Sequence, residues 1–131
     1  MLRFQLLSCE DVLELTVDGS LDLARSRALL ERALAAAAHR HDVLVDLRSV
    51  SDDSPLSFAD VFQLVRMLQA TPGGFRGRMA LLGRDRPLFE KTQFFESSAS
   101  EYGFQVRAFL DFEAAVRWLM RTTDLSDKSA I

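Results

Sequence analysis

The last third of the chain leaves the least freedom in how it can fold. Arg78-Met79-Ala80-Leu81-Leu82 is a short apolar strand closed by Gly83, and Gln105-Val106-Arg107-Ala108-Phe109 is another. Between them, from Pro87 to Tyr102, apolar residues return at helical spacing, with a proline near the first turn and Gly103 at the end. Asp111 then opens a terminal helix, Phe112-Glu113-Ala114-Ala115-Val116-Arg117-Trp118-Leu119. Strand, helix, strand and helix follow one another with almost no spare residues. That arrangement is half of a small α/β domain, in which a crossover helix returns the chain to a parallel neighbour.

The first two-thirds carry the same alternation. Leu2 to Ser8 reads as a strand and Cys9-Glu10-Asp11 as a polar turn. Val12, Glu14, Thr16 and Asp18 alternate with Leu13, Leu15 and Val17, the period of a strand with one wet face, so an N-terminal hairpin is predicted. Gly19-Ser20 breaks that strand, and Asp22 caps a helix to Ala38 whose inward stripe is predicted as Leu23, Leu30, Leu34 and Ala37. Val43-Leu44-Val45-Asp46-Leu47 is apolar on both faces, as a central strand should be. A polar loop runs from Arg48 to Leu56. Ser57 and Asp60 form a capping box, with Asp in place of Glu, for a helix from Phe58 to about Thr71. In the Pro87 helix the predicted inward stripe is Leu88, Phe95, Ala99 and Tyr102.

The predicted order is therefore β-β-α-β-α-β-α-β-α. It implies one α/β domain over residues 1–121, with a mixed, mostly parallel five-stranded sheet and helices packed on it. Leu44, Val45, Leu81 and Val106 are its expected central-strand core. Residues 122–131 are polar and aperiodic, and a flexible C-terminal tail is expected there.

Composition narrows the function classes. A chain of 131 residues is the size of one domain and buries roughly two-thirds of its unfolded surface. The net charge of -3 argues against a nucleic-acid partner, which usually meets a basic excess. The single cysteine, Cys9, cannot form an internal disulfide, which suits a reducing cytoplasm. The N-terminus carries Glu10 and Asp11 and does not read as a signal peptide. No apolar run approaches the ~20 residues of a membrane span. The expectation is a cytoplasmic protein that meets a membrane surface at most transiently.

Catalytic chemistry finds little support. His39 and His41, the only histidines, stand two apart where a helix ends, with Asp42 adjacent and no cysteine to complete a ligand set. Glu10 and Asp11 beside Cys9 would raise its thiol pKa, the reverse of activation. No nucleophile elbow, dinucleotide fingerprint or phosphate loop is present. The reading is a non-enzyme with no cofactor and no metal.

Two other groupings stand out. The Phe58 helix is apolar over roughly 160° of its circumference at 100° per residue, through Phe58, Val61, Phe62, Leu64, Val65 and Leu68. Phe58 and Phe62, with Met67, Phe75, Phe89 and Phe94, are candidates for a ligand or partner surface. That surface would serve a protein partner, a second copy of the chain in a homodimer, or an apolar small molecule. Arg84, Arg86 and Lys91 cluster around the start of the next helix and are candidates for holding an anion. An apolar ligand would enter near Phe75, Met67 and Phe89, where the three glycines of the segment from Pro72 to Gly77 allow movement.

The R-x-F strand ending at Phe109, followed by F-x-x-A-x-x-W-L from Phe112 to Leu119, resembles the SpoIIAA-like bacterial proteins of the STAS fold. The likeness covers about residues 2 to 121. It implies action through protein partners rather than catalysis, and a fold related to carriers of lipidic ligands. In anti-anti-sigma proteins of this fold, the loop after the D-L-x-x-V strand carries D-S-S-G or D-S-T-G, whose second hydroxyl residue is the phosphoacceptor. Asp46-Leu47 and Val50-Ser51 match that lead-in. Continued without a gap, the motif falls on Ser54-Pro55-Leu56-Ser57, and Leu56 stands at the acceptor position. Ser54 and Ser57 are the remaining candidates for a regulatory loop. The simpler reading is that Ser54 turns the chain and Ser57 caps the helix.

Overall fold

The computed structural model describes residues 2–6, 12–38, 42–71, 75, 77–84 and 88–129. Its elements are β1 (Leu2–Leu6), β2 (Val12–Gly19), α1 (Leu23–Ala38), β3 (Asp42–Val50), α2 (Phe58–Ala70), β4 (Arg78–Leu82), α3 (Leu88–Ser100), β5 (Gln105–Phe109) and α4 (Phe112–Ser129). The sheet order is β1-β2-β3-β4-β5. β1 runs antiparallel to β2, and β2 to β5 are parallel. β1 and β2 follow one another directly, whereas each later strand is reached through a helix.

Successive crossovers of one hand step across the sheet and place their helices on the same face. α1, α2 and α3 accordingly share one face. Their core takes Leu15 and Val17 of β2, Val43, Val45 and Leu47 of β3, and Met79 and Leu81 of β4. The period of two sends Val12, Leu44, Ala80 and Leu82 to the opposite face, where Ala115 and Leu119 of α4 cover them. Burial on both faces is why β3 carries Val43-Leu44-Val45 and β4 carries Met79-Ala80-Leu81-Leu82 as continuous apolar stretches. Leu44, Val45, Leu81 and Val106 are all buried.

α4 is held against the sheet by more than apolar area. Asp111 Oδ2 accepts from Ala114 N at 2.9 Å and caps it. Arg78 donates to the Trp118 carbonyl at 2.9 Å, with its guanidinium 5.1 Å from the centre of the Trp118 ring. Phe109 meets the same ring at 5.7 Å.

A bulge interrupts β3. Thr16 pairs with Asp46, but Asp18 pairs with Ser49, so β3 carries one extra residue there. Leu47 and Val50 consequently reach the same core although they are three residues apart. Just before the bulge, Asp46 is buried on the α4 face. It accepts from Arg48 Nε at 3.0 Å, Arg48 Nη2 at 2.8 Å and Arg48 backbone N at 3.0 Å. Burial pushes the Asp46 carboxyl up, but the Arg48 hydrogen bonds and charge outweigh it, and its pKa lies below the ordinary 3.8. Glu14 moves the other way. Burial and the nearby Asp46 charge raise it above 4.5, against the pull of Arg48.

Four sequence expectations need correction. Helix α1 buries Ser26, Leu29, Leu30 and Ala33, while Leu23 and Leu34 are only partly buried and the side chain of Ala37 is outside the described residues. The true stripe is rotated by roughly 60° at 100° per residue from the predicted one, because Ser26 at its centre is polar and hid it. Tyr102 is not part of the inward stripe of α3. It is 49% exposed in the turn after the helix, and Thr92 is buried on that stripe instead. The helix ends there because Gly103 adopts φ +87° and Phe104 N reaches back to the Ala99 carbonyl. β3 extends to Val50, beyond the predicted Leu47. Finally, α4 continues to Ser129 through the segment expected to be a tail, since neither glycine nor proline interrupts residues 112–129.

Two outcomes follow for stability. Leu44 is fully buried between the sheet and α4, so Leu44→Ala should cost about 2–5 kcal/mol, read as a lower urea midpoint. For Glu14, a raised folded pKa means that its charge opposes folding once pH rises through 4.5 and the folded value. Glu14→Gln should therefore stabilise the protein at neutral pH, with the gain vanishing below pH 4.5 in urea melts. Asp46 has the opposite sign. Its contribution is present above 3.8 and is lost as pH falls through its lower folded pKa.

Candidate functional site

In parallel α/β sheets, binding sites gather at the carboxyl ends of the strands, where helices begin. Here that end is formed by the termini of β2, β3 and β4 and the first turns of α1, α2 and α3. The loop between β3 and α2 is its centre, and the loop is held from two sides. Ser51 N donates to the Gly19 carbonyl at 2.8 Å. Ser54 Oγ accepts from Leu21 N at 2.9 Å and donates to the Ser51 carbonyl at 2.7 Å. On the other side, Arg84 donates from Nε to the Arg48 carbonyl and from Nη2 to the Val50 carbonyl, each at 2.8 Å. Its Nη1 pairs with the Asp52 carboxylate at 3.2 Å.

The loop leads into a well-defined helix start. Ser57 Oγ accepts from Asp60 N at 3.0 Å, and Asp60 Oδ2 accepts from Ser57 N at 3.1 Å, which completes the capping box. Ser54 and Ser57 thus do what the simpler reading assigns to them. Leu56, between them, is 5% exposed and points into the core.

The first residues of α2 form an aromatic face. Phe58 and Phe62, one turn apart, are 48% and 42% exposed. Phe94 of α3 meets Phe58 edge-on, with ring centres 5.4 Å apart and planes at 88°. The Lys91 ammonium lies 5.8 Å from the centre of the Phe58 ring. Four of the residues singled out from sequence therefore come together. The others do not join them. Phe75 is buried in the main core rather than standing at an entrance. Met67 is partly buried against the same core. Phe89 packs on Gly83, where an added Cβ would lie 3.3 Å from its Cδ1. Arg84 spends three of its five N–H donors on two carbonyls and Asp52, so it braces the β3–α2 loop as well as standing near the start of α3. Arg86, Cys9, His39 and His41 lie outside the described residues.

Beneath the aromatic face, α1, α2, α3 and the sheet leave a crevice of about 70 Å³. Leu29, Ala33, Leu47, Leu56, Leu64 and Phe95 supply much of its apolar wall, with Ser26, Thr92 and Lys91 as the polar members. Thr92 Oγ1 donates to the Phe89 carbonyl at 2.7 Å. Ser26 Oγ is buried with no hydrogen-bond partner. Sequence reasoning missed both residues. The available signal was a hydroxyl in helical register with an apolar stripe: Ser26 with Leu29, Leu30 and Ala33, and Thr92 with Phe95 and Ala99.

No family model and no curated protein matches the chain. Two solved structures resemble it over nearly its whole length. An uncharacterised protein of the DUF3478 family with a SpoIIAA-like fold, from Shewanella loihica, aligns with a TM-score of 0.55 at 19% identity, over 91% of this chain and 92% of its own. An anti-sigma factor antagonist from Mycobacterium paratuberculosis aligns with a TM-score of 0.55 at 14% identity, over 92% and 95% respectively. With strand order, crossovers and capping helix already in view, the likeness identifies the architecture: this chain has a SpoIIAA-like fold.

Proposed function

We propose that the chain is a non-catalytic, cytoplasmic interaction module of STAS type that recognises a protein partner through the start of α2. The observation that carries this reading is the aromatic face. Phe58 and Phe62 stay exposed on a helix that buries Val61, Leu64, Val65 and Leu68. Large aromatic side chains held on a rigid element are the usual energetic centre of a protein interface. The capping box and the Arg84 and Ser54 contacts provide that rigidity. A neighbour in fold is an anti-sigma factor antagonist, a regulator that works on another protein, and it supports the reading by analogy.

The module differs from a phosphoswitch. Leu56 has no hydroxyl and is packed inward. Ser54 is committed to two hydrogen bonds and Ser57 to the capping box. Partner binding is therefore constitutive with respect to this loop. A self-complementary version, in which two copies pair through Phe58, Phe62 and Phe94, belongs to the same reading. A lipid carrier with its entrance near Phe75, Met67 and Phe89 draws less support, because Phe75 is buried and Arg84 is engaged. No helix among the described residues is long and apolar enough to cross a membrane.

A photo-reactive phenylalanine analogue placed at position 62 tests the surface in living cells. A discrete cross-linked species is expected from position 62, absent when the analogue sits at position 102, and lost on Phe58→Glu. Equal cross-linking from both positions, or none from position 62, would overturn the reading. Light scattering at high micromolar concentration separates the self-pairing form, which requires twice the monomer mass.

A further inference from the structure

β5 ends the described sheet, with β4 as its neighbour. The far edge of such a strand presents backbone donors and acceptors to any strand that could add there. Along a strand, the N–H and C=O of one residue point to one side and those of the next residue to the other. The Phe109 carbonyl accepts from Gly83 N at 2.9 Å, so Phe109, Arg107 and Gln105 turn their backbone groups toward the β4 side. Val106 and Ala108 turn theirs to the far edge. At Ala108 that edge is occupied by a side chain. Ala108 N donates to Glu96 Oε1 at 3.1 Å, and Glu96 reaches it from α3 across twelve residues of chain.

Glu96 thus does for one donor what a further strand would do. It is half-buried, next to the buried Phe95. At 100° per residue it stands about 200° round α3 from Phe94, so the edge and the aromatic face lie on different sides of that helix. Arg107 adds a second obstacle. It is exposed, and its guanidinium lies 5.8 Å from the centre of the Phe109 ring. Two β5 strands brought together antiparallel about a two-fold axis, with Val106 opposite Ala108, would set Arg107 directly against Arg107 of the second copy. Like charges in opposed positions of an antiparallel pair are destabilising. The neighbouring registers, centred on Val106 or on Ala108, escape that repulsion but still require the Ala108 N–H.

We propose that Glu96 guards the far edge of β5: its carboxylate holds the N–H that a second copy of this chain would need in order to add its own β5, and so keeps the sheet from continuing into another molecule. The occupant held off is a second copy because every copy carries the same short strand, and an antiparallel pair about a two-fold axis makes that strand self-complementary. Natural sheets commonly protect their edges with charged side chains in this manner. The guard does not rest on any partner binding at the start of α2.

Analytical ultracentrifugation and amide hydrogen exchange test the guard, with Phe58→Glu in every sample to remove pairing through the aromatic face. Glu96→Ala takes away the acceptor and puts a stronger helix former in α3. It should sediment as a dimer at high micromolar concentration, where the parent with Glu96 stays a monomer. Diluted to monomer, it should exchange the Ala108 amide roughly tenfold faster than the parent, the worth of one hydrogen bond to a charged group. On association that amide should become protected again. Glu96→Gln keeps a carbonyl oxygen at the end of the side chain and should remain monomeric. A Glu96→Ala protein that stays monomeric, or that pairs without protecting Ala108, overturns the guard. So does Glu96→Gln pairing as readily as Glu96→Ala. The parent decides the hydrogen bond whatever the variants do: an Ala108 amide that exchanges at the unprotected rate overturns it.

Discussion

β3 and β4 are apolar on both faces, and the positions of the helices follow from the need to keep water from both. Leu44, Ala80 and Leu82 face one way, while Val43, Val45, Met79 and Leu81 face the other. Three crossover helices cannot divide themselves between the faces when every step across the sheet goes the same way. The second face would stand open without α4, whose Ala115 and Leu119 close it. Hence the contacts that fasten α4: the Asp111 cap, the Arg78 hydrogen bond to the Trp118 carbonyl, and the Phe109–Trp118 ring contact.

The carboxyl end of the sheet obeys a different constraint. There the chain leaves β3 in an irregular loop whose backbone groups must find partners without a ladder. Arg84 and Ser54 provide them from opposite sides, so a segment with no regular structure is anchored by side chains. The bulge in β3 contributes by tipping Arg48 and Ser49 outward while returning Val50 to the core. Rigidity at this end allows Phe58 and Phe62 to be presented to solvent without collapsing onto the surface.

Most of the architecture was legible in the sequence, because it rests on period and punctuation. The alternation of β2, the double-faced run of β3, the Ser57–Asp60 box, Gly103 and the Asp111 cap each correspond to an observed feature. The failures share a physical cause: a residue's type does not reveal its partner. Ser26 and Thr92 are polar by composition yet buried, so α1 was rotated and α3 was given Tyr102 in place of Thr92. Arg84 is cationic, and only contacts across 34 and 36 residues reveal that it braces a loop. Phe75, flanked by Gly74 and Arg76, reads as exposed although it fills the core. Phe58, Phe62 and Phe94 were recoverable because their grouping needs only two neighbouring helices in register, whereas Lys91, read with the arginines as an anion site, lies against the aromatic face.

Lys91 has a double address. It is among the residues that line the crevice, and its ammonium lies near the Phe58 ring on the aromatic face. A side chain shared in this way would couple the two surfaces thermodynamically wherever both were occupied. An occupant of the crevice that favours one Lys91 conformer changes the affinity of the face by some factor, and by reciprocity whatever binds the face changes the affinity of the crevice by that same factor. No rearrangement of the backbone is needed for such cross-talk, since one long side chain suffices as its carrier.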